Sequence, residues 1–118
     1  MNEIFKGDTL KFGYVCEYDD GLIYTFQPND VVYIIVKNIN NQIVHNSKIT
    51  VKETCKTVEV NIDTSNFSIG MNSLELKLLT KNEIFTTREE ILVKESEMIE
   101  WIYLKVKWVI LMGIVLIK

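Results

Sequence analysis

Leu74-Glu75-Leu76-Lys77-Leu78 sets an apolar residue at every second position, with charge between. Leu10-Lys11-Phe12-Gly13-Tyr14-Val15-Cys16 and Val58-Glu59-Val60-Asn61-Ile62 keep the same period. A repeat of two belongs to a β-strand with one dry face and one wet face. Working outward, turn residues recur about every ten positions. Gly7-Asp8, Asp19-Asp20-Gly21, Gln27-Pro28-Asn29-Asp30, Asn40-Asn41 and Lys81-Asn82 separate runs of alternation. The strands expected between them cover Asn2–Lys6, Thr9–Tyr18, Leu22–Phe26, Val31–Asn38, Ile43–Val51, Lys56–Ile62, Met71–Leu79 and Ile84–Lys94. Asp19-Asp20-Gly21 suits a primed hairpin turn, and Pro28 stops ladder pairing. Asp63–Gly70 reads as one capped helical turn ended by Gly70, with Phe67 and Ile69 plugging the end of the fold. Short strands with frequent turns and no helical period define an all-β, antiparallel sandwich of about seven to eight strands.

The 118 residues amount to one domain, with 47% apolar and 25% charged residues, enough for an ordinary core. Residues 1–95 form the sandwich and residues 96–118 an apolar C-terminal tail. The expected core is Phe5, Leu10, Phe12, Tyr14, Val32, Ile34, Val36, Val58, Val60, Ile62, Phe67, Leu74, Leu76, Leu78, Ile91 and Val93. The net charge is −3, and residues 1–95 hold ten Lys/Arg against fourteen Asp/Glu. Neither part carries the basic footprint of a nucleic-acid binder. Met1-Asn2-Glu3-Ile4-Phe5 lacks the basic and apolar regions of a secretory signal. Cys16 and Cys55 make neither a disulfide framework nor a metal site. Cys16 shares the core parity of Leu10, Phe12 and Tyr14, and free thiols point to synthesis in a reducing cytoplasm.

The sequence offers no catalytic constellation. His45 is the single histidine, which removes polyhistidine metal sites, and it is expected to be solvated on an edge strand. Asp19-Asp20 and Glu89-Glu90 are neighbours in sequence, but adjacent strand residues point to opposite faces. There is no phosphate loop and no nucleophile elbow. The reading is a non-enzyme without cofactor or metal. A sugar-binding face built on the tyrosines would show as ligand-quenched fluorescence, yet both tryptophans, Trp101 and Trp108, lie in the tail.

Two features suit contacts with other molecules. Val31-Val32-Tyr33-Ile34-Ile35-Val36 is apolar at both parities. With Val32, Ile34 and Val36 inward, Val31, Tyr33 and Ile35 form an outer apolar stripe, which a loop, the tail or another subunit would cover. The tail is the second feature. Its uninterrupted run, Trp108–Ile117, spans ten residues, whereas a membrane-spanning helix needs about twenty. It reads as a membrane anchor bracketed by Lys105, Lys107 and Lys118, as an oligomerisation segment using Trp101 and Trp108, or as an extension without a selected role.

Four stretches carry a family resemblance: Ile4-Phe5-Lys6-Gly7-Asp8-Thr9-Leu10-Lys11-Phe12, Phe26-Gln27-Pro28-Asn29-Asp30-Val31-Val32, Asp63–Gly70 with its following strand, and Arg88-Glu89-Glu90-Ile91-Leu92-Val93-Lys94-Glu95. Residues 2–95 resemble the immunoglobulin-like N-terminal domain of phage baseplate upper proteins. The resemblance implies an immunoglobulin-like sandwich in the virion tail or baseplate. It further implies a mechanical role, attaching a fibre or receptor-binding component through contacts with other tail proteins or further copies. Family members continue into a longer fibre-binding region, whereas this chain passes after Glu95 into the apolar tail. The alternative is a small β-sandwich binding domain held at a membrane by that tail.

Overall fold

The computed structural model describes residues 2–95 and the backbone of residues 110–117. The described residues form eight strands in two sheets: β1 (Asn2–Phe5), β2 (Thr9–Cys16), β3 (Val31–Lys37), β4 (Ile43–Thr50), β5 (Val58–Asp63), β6 (Gly70–Leu79), β7 (Ile84–Lys94) and β8 (Ile110–Ile117). One sheet has the order β1-β7-β6-β3-β4 and the other β5-β2-β8. No helix occurs among the described residues. The all-β expectation is met, but the sheets are mixed. β1 runs parallel to β7 and β8 runs parallel to β2, while the other pairs are antiparallel.

Alternation decides what each strand buries. Leu10, Phe12, Tyr14 and Cys16 of β2 and Val58, Val60 and Ile62 of β5 meet Val32, Ile34 and Val36 of β3 and Leu74, Leu76 and Leu78 of β6 in one cluster. Burying a large aliphatic or aromatic side chain contributes about 1.5–3 kcal/mol, so this period-two stripe dominates the stability of the fold. Of the expected core, only Phe5 is displaced, with 42% of its surface exposed. Ile4 pairs with buried Val93 and takes the inward parity, which sends Phe5 outward opposite Lys94. The core also takes in Ile4, Phe26, Val51 and Phe85.

The turns depart from expectation in instructive ways. At Asp19-Asp20-Gly21, Gly21 N donates to Tyr18 O at 2.9 Å, and Tyr18 N donates to Leu22 O at 2.8 Å. Positive φ occurs at Gly21 (89°) but not at Asp19 or Asp20, so the turn is type I followed by a left-handed residue rather than a primed turn. Asn38–Gln42 repeats this design with Asn41 at φ 66°. Gln27–Asp30 is a type II turn, with Asn29 at φ 79° after Pro28. The expected strand at Leu22–Phe26 reduces to two isolated bridges, Glu17 to Ile23 and Phe26 to Cys55. Asp63–Gly70 forms a turn closed by Phe67 N donating to Thr64 O, with no helix. Phe67 plugs the core as expected, whereas Ile69 is half exposed.

Buried polar groups pin these turns. Thr64 Oγ1 donates to Asp8 O at 2.6 Å and accepts from Gly7 N at 2.9 Å, tying the β1–β2 turn to the end of β5. Asp30 Oδ2 accepts from Tyr24 Oη at 2.6 Å and from Gln27 N at 2.9 Å. Around Tyr24 the rings of Tyr18, Phe26 and Phe85 pack with centroids 5.6–6.3 Å apart, closing that end of the sandwich.

Candidate interaction surface

β3 is the strand that positions the surface, because it lies between β4 and β6 and cannot shift without breaking two ladders. Its inward residues, Val32, Ile34 and Val36, are buried, so alternation turns Val31, Tyr33 and Ile35 outward. These three are half-buried among cross-strand neighbours. Tyr33 lies in register between Lys48 and Lys77, Ile35 between Asn46 and Glu75, and Val31 between Thr50 and Leu79. The stripe is therefore a narrow apolar band with cationic residues on both sides. Beyond Ile35 the face dips into a shallow depression of about 220 Å³ lined by Ile35, Lys37, Asn41, Ser73, Glu75 and Arg88. Two of these lining residues form an ion pair, Arg88 Nε to Glu75 Oε2 at 2.8 Å.

The expectation that the tail covers this stripe fails for the described part of the tail. β8 lies beside β2, in the other sheet. Trp101 and Trp108, the other proposed contact residues, lie outside the described residues.

His45 lies on the edge strand β4, as expected. It is half-buried on β4, its Nε2 lies 2.8 Å from Ser47 Oγ, and its ring centroid is 6.4 Å from that of Phe67. Burial holds its pKa below the ordinary histidine value, while the Asp63 carboxylate pulls the other way. Asp63 accepts from both the hydroxyl and the backbone N–H of Ser65, and these bonds lower its own pKa. His45 Nε2 thus meets Ser47 Oγ, while Asp63 Oδ1 is taken by Ser65.

Cys16 and Tyr14 sit in the core with Sγ to Oη at 3.5 Å, and burial pushes the thiol up to about 11 and the phenol well above its usual range. Cys16 is accordingly an inert, protonated packing residue at neutral pH. Among the described residues no group of three or more His, Cys, Asp or Glu could hold a metal ion. No helix there is long and apolar enough to cross a membrane.

Two buried polar residues escaped sequence reasoning. Asn72 takes an inward position on β6, and its Nδ2 donates to Ser68 O at 2.8 Å and Gly70 O at 3.1 Å. Asp30 follows a proline turn, a setting that could have signalled a side chain bonding back to Gln27 N. Neither a protein-family model, nor a curated protein, nor a solved structure matches the chain.

Proposed function

We propose that the chain is a non-enzymatic structural module of a phage tail or baseplate. It positions a fibre or receptor-binding component through protein–protein contacts made by the outer face of β3, and it resides in the virion after synthesis in the host cytoplasm. The observation that carries this reading is the Val31/Tyr33/Ile35 band, held between the ladders to β4 and β6. A tyrosine within an apolar band, rimmed by polar and charged residues, matches the apolar-core, polar-rim anatomy of a protein interface.

The strand order supports an immunoglobulin-like wiring of the sandwich. The chain passes from β1 to β2 across the two sheets, returns for β3 and β4, crosses to β5, and returns for β6 and β7. Pairing of β2 with β5, and of β3 with β6 and β6 with β7, follows the order of such domains. The pairing of Ile110–Ile117 with β2 favours a tail that joins the sandwich over one that anchors it in a membrane.

The test is quantitative mass spectrometry of density-purified phage particles made in cells that express the chain. The expected result is a fixed copy number per particle, reduced at least tenfold by Tyr33→Lys and unchanged by Asn61→Lys on the opposite sheet. Absence from particles, with recovery in the membrane fraction, would overturn the proposal.

A further inference from the structure

β4, β3 and β6 together carry three lysines, Lys37, Lys48 and Lys77, and a single carboxylate, Glu75. Register sets all four on the outer face of the sheet. Lys48 and Lys77 stand opposite Tyr33, Glu75 stands opposite Ile35, and Lys37 follows Ile35 at the same parity of β3. The chain as a whole has a net charge of −3, so this band is opposite in sign to the molecule that carries it.

The ion pairs sharpen the contrast. Toward β7 and β1 the face supplies its own counter-ions. Arg88 Nε meets Glu75 Oε2 at 2.8 Å, and Lys94 Nζ meets Glu3 Oε1 at 2.6 Å. Lys37, Lys48 and Lys77 have no ion-pair partner among the described residues, and the Tyr33 hydroxyl makes no hydrogen bond there. Two ammonium-bearing residues are thus left about 10 Å apart, two strand spacings, with a phenol between them. Farther along β3, the depression of about 220 Å³ brings Lys37 together with Asn41, Ser73 and Arg88, all donors to an oxyanion. Arg88 uses only Nε on Glu75, so the rest of its guanidinium fork remains available.

We infer that the outer face of β3 recognises an acidic segment of its protein partner, two carboxylates with an apolar side chain between them. One carboxylate meets Lys48, Lys77 and the Tyr33 hydroxyl. The other enters the depression at Lys37 and Arg88, and the apolar side chain covers Ile35. From Tyr33 to Lys37 the strand advances about 13 Å, and two turns of a helix packed along it span about 11 Å, a difference that lysine side chains absorb. Charge complementarity selects this occupant over a polyanion. Nucleic acid carries a charge about every 1.7 Å, and an anionic membrane spreads charge over the whole face. Either would be set against Glu75 and Glu90, which stand outward on the same sheet. A discrete pair of carboxylates avoids them. The inference rests on the reading of this face as a protein-docking surface and adds the chemistry of the partner.

The experiment is fluorescence anisotropy of a labelled synthetic peptide titrated with the full chain. The probe is an alanine-rich helix with two glutamates two turns apart and leucines between them, and its control has glutamines in place of the glutamates. The glutamate peptide should bind at least tenfold more tightly. Lys48→Glu/Lys77→Glu should abolish that preference. Lys52→Glu/Lys56→Glu, the same change of net charge on the β4–β5 connection, should leave it intact. Equal binding of the two peptides, equal loss in both variants, no binding, or tighter binding of a single-stranded oligonucleotide or a phosphatidylglycerol vesicle would each overturn the inference. Should the first variant lose its folded circular dichroism spectrum, Lys48→Gln/Lys77→Gln takes its place. Particle incorporation separates this inference from the reading beneath it. Incorporation lowered by Tyr33→Lys but not by Lys48→Glu/Lys77→Glu would overturn the acidic partner and leave the docking face standing. A chain absent from particles yet selective for the glutamate peptide would support the acidic preference and overturn the phage reading alone.

Discussion

Thr64 shows how much one hydroxyl can hold. It is fully buried and serves Gly7 N and Asp8 O at once, so it fixes the first turn of the chain against the end of β5. Thr64→Val keeps the shape, leaves Gly7 N without this partner and leaves Asp8 O with the longer bond from the residue 64 backbone N–H, 3.4 Å. The expected cost is about 1–3 kcal/mol, read as a lower urea midpoint with unchanged slope. His45 and Asp63 act in separate pH windows. The folded pKa of His45 is depressed, so the unfolded chain binds the proton more readily and stability falls as pH drops below about 6.5. Asp63 is also depressed, and its contribution is intact until pH falls below about 4. His45→Gln should flatten the upper slope of a urea-midpoint titration and leave the lower one in place.

At the scale of elements, the two matching hairpin turns differ in one respect. Gly21 sits in the left-handed region without a Cβ, whereas Asn41 carries one. Asn41→Gly should therefore raise stability by up to about 1 kcal/mol in thermal melts. Gly13 answers a different need. A Cβ there would lie 2.8 Å from Thr57 Cγ2, so Gly13→Ala should destabilise by about 1–3 kcal/mol. Thr57→Ser should recover most of that loss, and a double-mutant cycle measures the coupling.

What the sequence made legible at this scale was parity. Leu74-Glu75-Leu76-Lys77-Leu78 could pack only one way, and β6 does so. Phe5 was illegible because Ile4-Phe5 offers two apolar neighbours, and only pairing with β7 chooses between them. The Asp19-Asp20-Gly21 turn was legible as a turn but not as its type, since the same dipeptide serves both designs. Asn72 was hidden because a polar residue on a strand is assigned to the wet face, although it shares the parity of Leu74, Leu76 and Leu78. For the surface, the Val31/Tyr33/Ile35 stripe was visible from its parity, but its lysine flanks depend on cross-strand register. The pairing of β8 with β2 was invisible, because an apolar run does not announce which strand it will join.

For the whole molecule, a single core joins the two sheets, so damage at its centre should be felt everywhere. Leu76 is fully buried between Ile34 of β3 and Thr87 of β7. Leu76→Ala should cost about 2–5 kcal/mol and shift fluorescence and circular dichroism transitions together, the sign of one cooperative unit. The four-residue parallel pairing of β1 with β7, Asn2 opposite Ile91 through Phe5 opposite Lys94, has a further meaning. Because the two strands point the same way, a pull applied between Asn2 and Lys94 runs along both strands in opposite senses. The bonds of the pair then share the tension and must give way together, instead of peeling one after another. Stretched from these two points, the sandwich would hold as a shear joint and then yield abruptly.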